Sequence, residues 1–269
     1  MFTLTQSLSR LSKRVLAIGL ASWAVCAGAA TARAGFADLK TNYSEASNPN
    51  VASYGTWRYN MGTTLLSPIS SWAGLPNEKG WGPAANVSGN YIPFLFQAHN
   101  LNDLTPGNNN GVGNYAGAYQ VGDIIFHSKD SFNGSANGEA NITWTSPGND
   151  VVNITGSLWP TRSPFTRENK YQLILNPSGS NTLLASGFLP EDGTVTRANP
   201  STFSVPSFTI HSGDTLELLI VRAGLTADPA GDFAGVNFTI ASVPEPASLG
   251  LLGSGVVCLL LRRARKSAA

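Results

Sequence analysis

The stretch "ANITWTSPGNDVVNITGSLW", residues 140–159, decides how the chain is read. Two short runs rich in β-branched and aromatic residues, Ala140–Thr145 and Val151–Trp159, flank a Pro147-Gly148-Asn149-Asp150 turn. Pro and Gly there set the backbone angles of a turn, and Asn and Asp bond back to it. Strand side chains alternate between faces. Ile154, Gly156 and Leu158 therefore share one face, and Thr155, Ser157 and Trp159 the other. The pattern predicts two half-buried strands joined by a tight turn.

Working outward, the same grammar repeats. Further strands are expected at Asp123–His127, Tyr171–Leu175, Thr202–Ile210, Thr215–Arg222 and Gly235–Ala241. Pro177-Ser178-Gly179, Glu191-Asp192-Gly193 and Ser212-Gly213-Asp214 separate them. In "TLELLIVR" both faces are largely apolar, with Leu216, Leu218 and Ile220 on one and Glu217, Leu219 and Val221 on the other, so that strand is expected to be central. Long runs of helical period are missing. Short strands at this spacing predict an all-β chain, a two-sheet β-sandwich of jelly-roll type. Residues 60–120 are less regular and hold a Gly/Asn-rich loop at 106–117.

The ends read differently. Arg10, Lys13 and Arg14 precede an apolar run from Val15 to Ala30, and Ala32-Arg33-Ala34 has the small-x-small form of a cleavage site. That is the pattern of a secretory signal helix, with cleavage near Ala34. At the other end Ala247 to Leu261 carries no charge and would make a short transmembrane helix of about 22 Å. Arg262, Arg263, Arg265 and Lys266 follow at once and would hold its end on the cytoplasmic side. Three segments result: a signal peptide at 1–34, a β-sandwich domain at 35–242 and a tail at 243–269.

Val243-Pro244-Glu245-Pro246, the short apolar run and the basic end resemble, in that order, the PEP-CTERM sorting domain of Gram-negative bacteria. The resemblance implies an exosortase as processing partner, transient membrane anchoring through the tail, and delivery to the cell surface or the extracellular polysaccharide matrix. The body also resembles the jelly roll often found upstream of such tails. Trp57 and Tyr59 match an early Trp-x-Tyr, Trp144, Pro147 and Gly156 a turn and strand, and Gly213-Asp214 and Asp232 the late strands. His127-Ser128-Lys129 departs from the His-Pro-Gly of that pattern.

Composition bounds the chemistry. Cys26 and Cys258 both lie in segments expected to be removed, which leaves the body without a thiol for disulfide, nucleophile or zinc. Nine of the Lys and Arg residues and fifteen of the acids fall in the body, a net charge near −6. Nucleic acid is therefore not an expected partner, because it requires a basic face. His99, His127 and His211 show no metal spacing, and no Gly-x-Ser-x-Gly elbow occurs. No catalytic residue and no required cofactor emerge. Asp228 and Asp232, on one tight turn, are the candidate calcium ligands. Trp72, Trp81, Tyr115 and Tyr119, in loop-rich context, are the candidate glycan platforms, since flat rings pack on the C–H faces of sugars.

The expectation is a non-enzymatic surface or matrix protein, with extracellular polysaccharide as candidate ligand. The alternative is an extracellular carbohydrate-active hydrolase on the same scaffold, which would need two carboxylates about 5–10 Å apart.

Overall fold

The computed structural model describes residues 35–71, 78–85, 91–99, 119–129, 138–161, 168–176, 180–190, 192–223 and 231–243. Gly35–Val243 make one compact unit. The early strands are β1 (Phe36–Asp38), β2 (Asn50–Val51), β3 (Thr56–Met61), β4 (Thr64–Leu65), β5 (Ser67–Ile69), β6 (Gly80–Gly82), β7 (Phe94–Gln97) and β8 (Ile124–His127). Then come β9 (Ala140–Thr145), β10 (Asp150–Pro160), β11 (Asn169–Asn176), β12 (Thr182–Leu189), β13 (Ser201–Ile210), β14 (Thr215–Arg222) and β15 (Phe233–Ser242). A single helical turn, α1 (Leu39–Asn42), is capped by the Asp38 carboxylate accepting from the Thr41 amide at 2.8 Å.

Among the described residues the strands form two antiparallel sheets. The first runs β13-β10-β15-β8-β7-β6-β5, with β1 also on β15; the second runs β12-β11-β14-β9-β3-β2, with β4 on β3. This is the all-β sandwich the sequence predicts. β14 lies between β11 and β9, away from either edge, as its apolar faces require. Its Leu216, Leu218 and Ile220 are fully buried.

The main core lies between the sheets. Trp57 and Trp144 are cross-strand partners on β3 and β9, both without exposed surface. Phe238 meets Trp57 edge-on from β15 at 5.6 Å, and Phe203 from β13 meets Phe238 at 6.0 Å. Phe203 occupies the space above Gly156, where a Cβ would overlap its ring and stand 3.0 Å from the Asn237 carbonyl. Gly156→Ala is therefore expected to destabilise the fold by about 1–3 kcal/mol through overpacking. The urea midpoint should fall without a change in m-value; an unchanged midpoint would show that the ring yields freely.

A second cluster lies on the outer face of the first sheet. Phe94 and Phe96 of β7, Ile125 of β8 and Phe233 of β15 are buried there with Ile92, Ala98 and Tyr119. Strict alternation would send these residues to solvent. Instead β7 and β8 are buried on both faces, which is why "IIFH" and "FLFQ" read as continuous apolar runs.

Candidate functional site

The chain leaves the sandwich at a well-defined point. β15 sits inside the first sheet, paired with β10 along one edge and with β8 and then β1 along the other. Its ladder ends with the Ser242 amide donating to the Gly35 carbonyl at 2.8 Å and the Val243 amide donating to the Val151 carbonyl at 2.7 Å. The next residue in sequence is Pro244, which has no N–H to donate.

The beginning of the unit lies at the same place. Gly35 carries Phe36 into register with Ala241. A Cβ at Gly35 would overlap the Tyr54 ring, so only glycine permits this approach. Tyr54 is fixed in turn: its hydroxyl donates to the Asp150 carboxylate at 2.6 Å and its ring packs on Trp144 at 5.5 Å. Burial first, then the Asp150 hydrogen bond and charge, push the Tyr54 phenol well above its ordinary value.

Two turns close this end beside Val243. The Ser146 amide donates to the Asp214 carbonyl at 2.8 Å, the Gly213 amide to the Ser146 carbonyl at 3.0 Å, and the Ser212 amide to Asn149 Oδ1 at 2.9 Å. The Pro-Gly-Asn-Asp turn and the Ser-Gly-Asp turn of the sequence are thus bonded to each other, a pairing that neither turn announces alone.

The candidate ligand residues fare differently. Trp81 and Tyr119 are each only 3% exposed, so neither offers a sugar an open ring face. Trp81 lies on β6, packs on Tyr59 at 6.0 Å and donates its indole N–H to the Ser44 carbonyl at 2.8 Å. Tyr119 belongs to the outer-face cluster. The irregular sequence around both residues hid strands β5 to β7 and the second apolar layer that cover them. Trp72, Tyr115 and Asp228 lie outside the described residues, as do Ala32, Ala34, Pro244, Glu245, Pro246, Arg262, Arg263, Arg265 and Lys266. The signal helix and the C-terminal apolar helix do also. Among the described residues, no helix is long and apolar enough to cross a membrane.

Asp232 is buried at the start of β15, where its amide and carbonyl bond Ser128 Oγ and the Ser128 amide at 3.0 and 2.9 Å. No group of three His, Cys, Asp or Glu placed for a metal ion occurs among the described residues. His127 is buried too, with its Nδ1 2.7 Å from the Ser128 carbonyl and its ring edge-on to Phe233.

The structure does bring two carboxylates onto one imidazole. His99 Nδ1 is 3.1 Å from Glu78 and Nε2 is 3.0 Å from Glu45, while the His99 amide also donates to Glu78. Burial, then the Tyr59 phenol and the Glu45 carboxylate, push the nearby Tyr43 phenol well above its usual value. His99, standing between the two carboxylates, ties Glu45 of the 43–47 turn and the buried Glu78 to the residues that follow β7.

An open aromatic ring comes from a strand the sequence reading did not predict. Phe188 of β12 is 64% exposed and stands opposite Lys170, with the Ser186–Gln172 pair in the next outward row. "TLLASGFL" alternates poorly, and that is why β12 escaped prediction.

Comparison with known proteins places the tail. A model described as the PEP-CTERM protein-sorting motif matches residues 242–266, so the chain carries that motif at its C-terminal end. No curated protein matches the chain. Among solved structures, the family 32 carbohydrate-binding module of C. perfringens NanJ, in complex with galactose, is 21% identical; the match covers 43% of this chain and 75% of that one, with a TM-score of 0.26. TmCBM61 in complex with β-1,4-galactotriose is 12% identical, covering 48% and 76% with a TM-score of 0.29. The K3 adhesin domain of Lys-gingipain from Porphyromonas gingivalis W83 is 11% identical, covering 45% and 74% with a TM-score of 0.26. These likenesses concern β architecture and carry no argument about a ligand.

Proposed function

We infer that this is an exported, non-enzymatic surface or matrix protein of a Gram-negative bacterium, delivered through exosortase processing of its tail. The leader at 1–34 directs export. The segment at 243–269 then anchors the chain transiently in the inner membrane until the exosortase cuts near Pro244–Pro246. The body at 35–242 is the cargo. The observation that carries this reading is the junction: the sorting motif begins at residue 242, and Val243, the last of the described residues, still donates its amide to the Val151 carbonyl of the sandwich. Ser242 and Val243 belong both to the end of the sandwich and to the start of the matched motif.

Deleting Leu249–Ala269 should divert the protein from an envelope-bound intermediate to soluble secretion. Mass spectrometry of the mature protein from cell surface and medium should find a C-terminus short of the apolar run. An intact C-terminus in a strain that has the peptidase, or an unchanged distribution after deletion, would remove the tail from the account.

For the body, extracellular polysaccharide is the ligand class we favour. Support comes from the exposed Phe188 ring beside Lys170, Gln172 and Ser186, an apolar platform with polar neighbours for hydroxyl groups. Phe188→Ala should weaken retention on polysaccharide gels at least about tenfold if the ring is the platform, which is 1.4 kcal/mol. Equal retention of both proteins would exclude that face.

A further inference from the structure

The sandwich has two unlike ends. At the end where Gly35 and Val243 emerge, the described connecting residues are Ala52–Gly55, Ser146–Asn149, Ser180–Asn181 and His211–Asp214. None of them contains a lysine, an arginine or a glutamate. Their only charged residue is Asp214, which is nearly buried and accepts from the His211 amide at 2.9 Å; His211 itself is exposed. The neighbouring Asp150 carboxylate is engaged by Tyr54 and by the Val151 amide. Among the described residues, the connections at the far end carry Lys129, Glu139, Glu168, Asp192, Arg197 and Asp232.

Exposed apolar side chains mark the charge-poor end. Phe36 is 53% exposed, Val151 38% and Val51 79%. Phe36 and Val151 lie on the two strands that flank the last residues of β15. Val51 stands at the same end on β2, in line with Thr56 and Thr145. Leaving such residues in water while withholding charge suits a surface that meets an apolar phase.

Chain length decides which phase. Only Pro244, Glu245 and Pro246 separate Val243 from the apolar run that begins at Ala247. The four steps from Val243 to Ala247 span at most about 14 Å when extended. While the tail is embedded, this end cannot be farther than that from the lipid. A charged end held so close would have polar groups to desolvate; this one has almost none.

We propose that the Gly35/Val243 end of the sandwich is a membrane-resting face, and that Phe36, Val51 and Val151 dip into the lipid interface while the sorting tail is anchored. The far, charged end then faces away from the membrane. The inference rests on the sorting reading, because without an embedded tail nothing fixes this end to lipid. Removal of the tail releases a contact too small to persist unaided.

The test uses the full chain in vesicles of phosphatidylethanolamine and phosphatidylglycerol containing nitroxide-labelled lipid. Cys26 and Cys258 are replaced by serine, and one fluorophore is attached per variant at F36C, V51C, V151C, L65C, F188C or, within the tail, S254C. Emission at 36, 51 and 151 should fall by more than about half on incorporation, as expected of interfacial side chains, while 65 and 188 stay bright. If 254 is quenched but the three end positions are not, or if 65 and 188 are quenched equally, the resting face is wrong and the anchored tail stands. If 254 itself stays bright, both the face and the anchoring on which it rests are overturned.

Discussion

Arg197→Met is expected to lower stability by about 2–3 kcal/mol at neutral pH, the usual cost of removing a hydrogen-bonding partner from a charged group that keeps its others. Asp123 is only 1% exposed, and Arg197 reaches it with Nε at 2.7 Å and Nη2 at 3.2 Å. Lys40 adds a bond at 3.1 Å and the Gln120 amide another at 2.8 Å. Burial raises the Asp123 carboxyl, but the bonds from Arg197, the Gln120 amide and Lys40 outweigh it and hold the group below its ordinary value. A depressed native carboxyl contributes stability above the unfolded value, about 3.9, and loses it as pH falls through the native one. In the variant, burial is less opposed, because only Lys40 and the Gln120 amide remain on the carboxylate, and protonation relieves the difference, so the deficit should shrink below about pH 4. Urea unfolding of both proteins at pH 7 and at about pH 3 measures this. A deficit equal at the two pH values would assign the loss to packing, since Arg197 also lies over the Trp159 ring at 5.8 Å.

Trp144→Ala should be more severe. The side chain has no exposed surface, and truncating a buried tryptophan costs about 3–5 kcal/mol. Its indole N–H also donates to the Tyr54 carbonyl at 3.0 Å, and an acceptor left buried and unpaired costs about 1–3 kcal/mol more. Together these approach the roughly 5–15 kcal/mol that holds an ordinary domain folded, so soluble yield should collapse. Trp144→Phe keeps a ring in the core and loses the donor, and should cost about 1–3 kcal/mol. Near-equal unfolding midpoints for the alanine variant and the native protein would show that the core closes over the gap.

The late strands were legible because they obey local rules. Ala140–Thr145 and Thr215–Arg222 are found with the predicted bounds, and β10, β11, β13 and β15 differ only at their ends. Between 36 and 97 little was legible. Strands β1, β2, β4, β5 and β6 are two or three residues long, and such pieces exist only because a neighbour supplies the ladder. Trp81 shows the consequence: surrounded by glycine and proline it read as a surface ring, yet it hydrogen-bonds Ser44 inside the core. The glycine at 156 was legible as an inward position; that Phe203 fills the space above it was not, because the partner lies 47 residues away on another strand. Phe188 was missed for the opposite reason, since an exposed ring on an edge strand leaves no periodic mark.

The placement of β15 has a mechanical corollary. If the released body stays attached to the surface through its new carboxy end, drag enters the fold along the axis of that strand. Antiparallel hydrogen bonds lie across the strand axis. Those to β10 on one side and to β1 and β8 on the other would be strained together rather than parted one after another. A strand gripped on both sides is suited to bearing tension from flow without unravelling from its end.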